Sequence, residues 1–445
     1  MIAMMNSTAD QILPPATRQL TKQQHVLVVV LILSFAIDFK GFPGGSPIQF
    51  LLLGLNTVAF LLLAVSYRMT LPRKSLGAFV FWGWMAFLVT GTIGALVNAT
   101  PFERYLRIIY PFALFLEGFL VAWWTTKNSH NAATIVSTMM VTAVVSLFFI
   151  FWWGFHFTGN SVGQIRYQIL SPLLPFVVVV AGYDLFFSHQ RKSWSFILIT
   201  VSVGLVGLSV TRAPILIVGF VVVLILLAAL VNALSSGTFP RPIMRAVFWC
   251  LLGGIIGIIV VNLFYPDVLG RWIHRALGEA RNVTLWTRVA AIIGQFQALT
   301  SNHFGWLTGQ GFGSSYPWPF SEFDWIIPYL GKDPSSSVWF PGEFMWMTFL
   351  YYGGYIIGSV AVSVLLAGTI CAFRLITKCL KTQSWQNPLS RPLWVGMLGF
   401  FTFIGKGFTS NPFIIRNAAL FMGLCLGLVL TQKSSTMLSK IRIRP

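Results

Sequence analysis

Charge is scarce in this chain. Only 9% of its 445 residues are charged, and 11 of them are acidic. A soluble globular domain carries roughly 25% charged residues, so that class is excluded. Cysteine is scarce too. Of Cys250, Cys371, Cys379 and Cys425, three fall in apolar runs and Cys379 in a basic loop, which leaves no disulfide framework and no metal-ligand spacing. No cleavable leader is expected, because Asp38 and Lys40 follow the first apolar run where a small-residue cleavage site would stand. What the chain has instead is apolar length. Hydrophobic residues make up 56% and mean hydropathy is +0.77. Runs of about twenty apolar residues recur along the chain, the length a helix needs to cross a bilayer. The net charge of +19 could suggest nucleic acid. However, no basic run is interleaved with polar structure, and short basic loops on one side of a membrane account for most of it.

The expectation is therefore an all-α polytopic membrane protein of about twelve spans: 25–42, 47–66, 76–97, 106–125, 132–157, 168–187, 194–211, 214–233, 246–265, 343–373, 392–409 and 414–431. The domain order is a polar N-terminal segment 1–24, a membrane domain 25–431 and a basic tail 432–445. One set of connections carries Arg68, Arg73, Lys74, Lys127, Arg191, Lys192, Arg241, Arg245, Arg374, Lys378, Lys381 and Arg391. It is short, basic and nearly free of acid, so it and both termini are expected in the cytoplasm.

The other set faces outward and includes one long loop, 266–342, between the ninth and tenth spans. Its cations are mostly arginines: Arg104, Arg107, Arg166, Arg212, Arg271, Arg275, Arg281, Arg288 and Arg416, against Lys40, Lys332 and Lys406. Guanidinium binds phosphate with two parallel hydrogen bonds and stays charged where water is scarce. The long loop is expected to hold helices at 268–280 and 284–299. In the second, Leu285, Val289, Ile292, Ile293, Phe296 and Leu299 form an apolar stripe. Arg281, Arg288 and Gln295 recur every seven residues on another face.

Four groups of residues carry chemistry. Arg212 precedes Pro214 at the start of a span, where free helix N–H groups favour an anion. Thr287-Arg288 lies on the loop helix. Gly309-Gln310-Gly311-Phe312-Gly313 is either a flexible turn or a place where backbone amides approach a ligand. Glu343, where the loop re-enters the membrane, is the best candidate general base. Glu117 sits within the fourth span, where a structural role is favoured over an ion path. The histidines show no metal spacing.

The order of about nine spans, a long outward loop and three final spans resembles the bacterial O-antigen ligase and polysaccharide polymerase superfamily. The segments carrying the likeness are Leu208-Ser209-Val210-Thr211-Arg212-Ala213, Thr287-Arg288, Asn302-His303-Phe304-Gly305-Trp306, Gly309 to Gly313, and Tyr351-Tyr352-Gly353-Gly354-Tyr355-Ile356-Ile357-Gly358. The resemblance implies a metal-independent, inverting glycosyltransferase without a cofactor, at the outer face of the bacterial inner membrane. Its donor would be a glycan on undecaprenyl pyrophosphate. Arg212 and Arg288 would grip the pyrophosphate, helped by Arg166, Arg104 or Arg416. Trp306, Tyr316, Trp318, Trp325 and Trp339 would offer faces to sugar rings. Partners would be lipid-linked oligosaccharide, membrane lipids and a chain-length regulator protein. Ligases of the family carry a His-Asn pair where this chain reads Gly342-Glu343-Phe344. The missing histidine favours a repeat-unit polymerase over a ligase. A transporter or flippase of lipid-linked sugars is the alternative from another class, but its two-halved pattern of broken spans is absent from the sequence.

Overall fold

A computed structural model describes residues 19–37, 47–72, 76–157, 169–187, 192–237, 241–264, 270, 283–301, 305–318, 321–330, 338–342, 344–382 and 390–434. The protein is a helical membrane protein. In chain order the first nine helices are α1 (Lys22–Leu33), α2 (Pro47–Ser66), α3 (Leu76–Val97), α4 (Phe102–Thr125), α5 (Ser129–Phe157), α6 (Leu174–Phe187), α7 (Lys192–Ser209), α8 (Arg212–Ser236) and α9 (Arg241–Phe264). The loop contributes α10 (Val283–Ser301), the single turn α11 (Gly305–Thr308), a 3-10 helix (Ser321–Leu330), and strands β1 (Tyr316–Pro317) and β2 (Val338–Trp339). The chain closes with α12 (Met345–Lys381), α13 (Arg391–Thr409), a 3-10 turn (Pro412–Ile414) and α14 (Arg416–Ser434). Six helices among the described residues are long and apolar enough to cross a membrane: α2, α3, α4, α5, α8 and α12. The first expected span is shorter than foreseen, since α1 stops at Leu33 and 34–37 form a turn. The expected loop helix 284–299 is α10. The expected helix 268–280 lies outside the described residues except for position 270.

Local chemistry sets several boundaries. α1 opens with a capping box, in which Thr21 Oγ1 accepts from the Gln24 amide at 3.2 Å and Gln24 Oε1 accepts from the Thr21 amide at 3.1 Å. α8 stops where Gly237 takes φ +68° and its N–H donates to the Ala233 carbonyl.

The bundle is centred on α13 and α14, whose described side chains are almost all buried. α14 lies against α4 at very short range. Gly423 and Gly427, four residues apart, approach the backbone at Phe115 and Phe119, and Gly118 approaches Leu420. Small residues at this spacing let two helix backbones come close, which is how membrane helices gain packing energy without a hydrophobic driving force. By contrast, α2 turns Phe50, Leu51, Leu55, Val58, Leu62 and Val65 outward, as a lipid-facing helix does. At the end away from the long loop, Trp124 Nε1 donates to Thr70 O at 2.8 Å and Arg391 grips Asp184 with two bonds of 2.6 Å.

α12 is two helices. Gly354 has φ 74° and ψ 173°, which breaks the helix ladder in its first third. A break leaves carbonyls without partners, and each costs several kcal/mol in hydrocarbon unless something else donates to it. Here the loop supplies the donors. Gln310 N–H bonds Tyr351 O at 2.7 Å, Gly311 N–H bonds Tyr352 O at 3.3 Å, and Phe312 N–H bonds Gly91 O on α3 at 3.0 Å. Gly309, Gly311 and Gly313 all have positive φ, and Gly311 touches the α3 backbone at Gly94 and Ala95 too closely for any side chain. The Phe312 ring then packs with Phe87, Phe112 and Tyr352. The glycine-rich segment is thus a plug that mends a broken membrane helix. Its three central amides are occupied and do not wait for a ligand.

Candidate functional site

The loop, the start of α12 and the α13–α14 connection meet at one end of the bundle. Arg288, on α10, donates from Nη2 to the carbonyl of Thr409, the last residue of α13. Its Nε is out of reach of solvent and has no hydrogen-bond partner. Among the described residues the only ion pair is Arg391–Asp184, and none of their carboxylates pairs with Arg288. A part-buried cation with no counter-charge among the described residues favours an anion arriving from outside.

Thr409 sits among packed neighbours. Phe408 packs against Trp346 in the first turn of α12 and against Phe220 of α8. Gly407 lies against Met345, and the Asn411 amide donates to Gly342 O at 3.3 Å. Asn411 also caps the turn before α14, accepting from the Phe413 amide at 2.9 Å. Lys406, one turn before Thr409, is 8% exposed. Gly342 and Phe344 therefore lie beside the carbonyl that Arg288 holds. Glu343 itself lies outside the described residues, as does Arg166.

Arg212 is the first residue of α8. Thr211 does not cap that helix, because its hydroxyl turns back to Ser209 O at 3.1 Å. Val210 just before it has φ 49°, a conformation rare for a β-branched residue. Phe220 lies eight residues further on, about 12 Å along the helix, and contacts both Gly405 and Phe408. Arg212 is thus at the same end of the bundle as Arg288. Arg104, in the first turn of α4, places its guanidinium 4.8 Å from the centre of the Phe340 ring. Arg416 opens α14 and is half-buried.

The aromatic residues differ in what they present. Trp306 is 49% exposed. Tyr316 is buried, wedged between Gly294 of α10 and the ring of Tyr351. Trp318 and Trp339 pack on each other with ring centres 4.2 Å apart, fixed by the pairing of β1 with β2. Trp325 packs, with Val289 and Ile293 of α10, against the buried cluster of Ala290, Phe323 and Ile326. A cleft of about 310 Å³ opens near the C-terminal end of α10, lined by Gln297, Ala298, Ser301, Gln310 and Pro317. It starts nine residues past Arg288, about 14 Å along the helix.

Two polar side chains at this end could not be singled out as unusual from sequence. Gln295, one heptad beyond Arg288, is fully buried with neither amide atom partnered, and so is Asn417 in the first turn of α14. Gln295 was visible as part of the seven-residue repeat, but a repeat carries no sign of burial. Asn417 had no signal at all. No family model, curated protein or solved structure matches this chain.

Proposed function

We propose that this protein is a polysaccharide repeat-unit polymerase, an inverting glycosyltransferase whose donor is a glycan on undecaprenyl pyrophosphate. The observation that carries the reading is Arg288, a half-buried guanidinium with no carboxylate partner among the described residues and with its Nε buried and unbonded. Arg212 and Arg104 share its end of the bundle. In this reading the enzyme has twelve spans in the bacterial inner membrane, both termini in the cytoplasm and the long loop in the periplasm. A hydroxyl of one lipid-linked repeat unit attacks the lipid-linked sugar of the growing chain, and undecaprenyl pyrophosphate leaves. Negative charge grows on the leaving phosphate as the bond breaks, so a guanidinium already in place stabilises the transition state more than the ground state. Glu343 is the proposed base. The cleft beside Gln297 and Gln310 lies far enough from Arg288 to take sugar rings, and Trp306 is the most exposed of the proposed platforms.

The break in α12 gives the transporter reading one specific argument, since broken helices form ion and substrate sites in transporters. Here the Tyr351 and Tyr352 carbonyls accept from the loop, which argues for a sealed joint and an enzyme. The test is turnover of purified lipid-linked repeat units. Arg288→Ala is expected to lower kcat/KM by roughly 100-fold or more, the size seen when one oxyanion donor is removed. Arg288→Lys should recover only part, because an ammonium lacks the bidentate fork. Unchanged turnover in Arg288→Ala, with the protein still folded, would remove the phosphate grip.

A further inference from the structure

The glycosyl-transfer reading leaves one polar cluster unused, inside the membrane between α1, α2 and α4. Glu117 lies in the middle of α4, twenty-four residues long and otherwise apolar around it. Its Oε1 is fully buried and has no hydrogen-bond partner. Asn56 of α2, itself 0% exposed, directs its side chain at the Glu117 carboxyl group. The same amide donates to Leu31 O of α1 at 3.1 Å, and Asn56 Oδ1 accepts from the Tyr110 hydroxyl at 3.3 Å. Tyr110 Oη also lies 3.5 Å from Thr57 Oγ1.

The spacing on α4 is directional. Glu103, Arg107, Tyr110, Leu114 and Glu117 follow one another at three- and four-residue steps, so they line one face of the helix. Glu103 and Arg107 are exposed at the loop end, Tyr110 is half-buried, and Glu117 lies two turns deeper. The opposite side of α4, at Phe115, Gly118 and Phe119, is sealed by α14. The carboxyl group therefore faces the α2 side. α2 is thinly held there and carries no titratable residue, and α3 carries none either. On α1 the titratable groups are Lys22 and His25, in its first turn, and α14, on the opposite side of α4, carries Arg416 and Lys433 at its two ends and Cys425 against Gly399.

No cation of the protein neutralises Glu117 among the described residues, since the one ion pair is Arg391–Asp184. An ionised, unpaired carboxylate in hydrocarbon is costly, so a charge must come from outside. We propose that Glu117, Asn56 and Tyr110 form an exchangeable monovalent-cation site, taking a proton or a sodium ion, reached from the loop end along the face of α4 that carries Glu103, Arg107 and Tyr110. The oxygen atoms of Glu117, Asn56, Tyr110 and Thr57 are the hard donors such a cation takes. The site is independent of the glycan reading and would stand if that reading failed.

Reaction with dicyclohexylcarbodiimide, which attacks protonated carboxyl groups in apolar surroundings, tests it on the full chain in detergent with mass-spectrometric detection. Glu117 is expected to be modified, and Glu117→Gln to lose the modification while keeping the parent's melting temperature. If the cation is a proton, the rate falls roughly tenfold per pH unit above the titration point and ignores sodium. If it is sodium, replacing choline chloride with sodium chloride at fixed pH slows the modification. Tyr110→Phe should slow it severalfold by removing the hydroxyl between the rim and Asn56. No modification of Glu117, or a rate indifferent to both pH and sodium, overturns the site. An unchanged rate in Tyr110→Phe overturns the route.

Discussion

Gly311→Ala is the sharpest test of the plug. Gly311 has φ 79°, and a left-handed conformation costs a residue with a Cβ about 1–2 kcal/mol. The new methyl group would also point into the α3 backbone at Gly94 and Ala95. Backbone cannot swing aside as a long side chain can, and overpacking of this kind costs about 1–3 kcal/mol. The two terms together come to about 2–5 kcal/mol. The chain's escape is to lift the loop off α3, but that strips the Tyr352 carbonyl of its donor inside an apolar region, at a cost of several kcal/mol. Either way the substitution consumes much of a stability of about 5–15 kcal/mol. The assay is thermal unfolding in detergent, followed by size-exclusion chromatography of the heated samples. Gly54→Ala is the matched control. It lies on the lipid face of α2 with nothing within 4 Å of the added carbon, and is expected to leave the melting temperature unchanged or to raise it, by up to about 1 kcal/mol of helix propensity. If Gly311→Ala melts with the parent, the plug does not hold α12 together.

Other substitutions test other joints. Asp184→Ala would leave Arg391 part-buried without its bidentate partner, and breaking such a pair from one side costs about 3–5 kcal/mol; a melting temperature equal to the parent's would show that water replaces the carboxylate. Tyr67, just past α2, is buried against Trp124, and burial pushes its hydroxyl up to about 12. Its neutral form is therefore favoured by folding, a stability fully present below about pH 10 and lost as pH rises through about 12. Tyr67→Phe should flatten the alkaline limb of the melting profile, and an unaltered limb would assign that loss to other groups.

Much of the architecture is legible from hydropathy, because a membrane helix must be apolar along its whole length. Each expected span overlaps a helix, six of these helices being long and apolar enough to cross a membrane among the described residues, and the apolar stripe of 284–299 marks α10 to within two residues. The break in α12 is harder to read. Tyr352-Gly353-Gly354 permits a bend, but whether a helix breaks depends on donors arriving from Gln310 and Gly311, about forty residues upstream. The same non-locality hides the Asp184–Arg391 pair, which joins residues 207 positions apart. Tyr316 shows the limit for the site. An aromatic residue in an outward loop suits a sugar platform and a buried wedge equally well, and only the glycine at 294 makes room for the wedge. Arg288 and Arg212 stood out in the sequence because arginines in connections expected to face outward run against the ordinary membrane bias, and the structure brings the two to one end of the bundle.

The plug also has a consequence for the order in which the chain is made. α3 is synthesised early, yet its face at Gly91 and Gly94 is completed only by Phe312 and Gly311. About 220 residues separate the two halves of that contact, so at the usual pace of about 5–20 residues per second the nascent α3 waits roughly 10–40 s for its partner. During that wait a strip of glycine backbone on α3 lacks the segment that covers it in the folded protein. The first half of α12 cannot settle until the loop has threaded back to that strip. Final closure of the membrane domain is therefore a late event, timed by the arrival of a segment that is itself not a span.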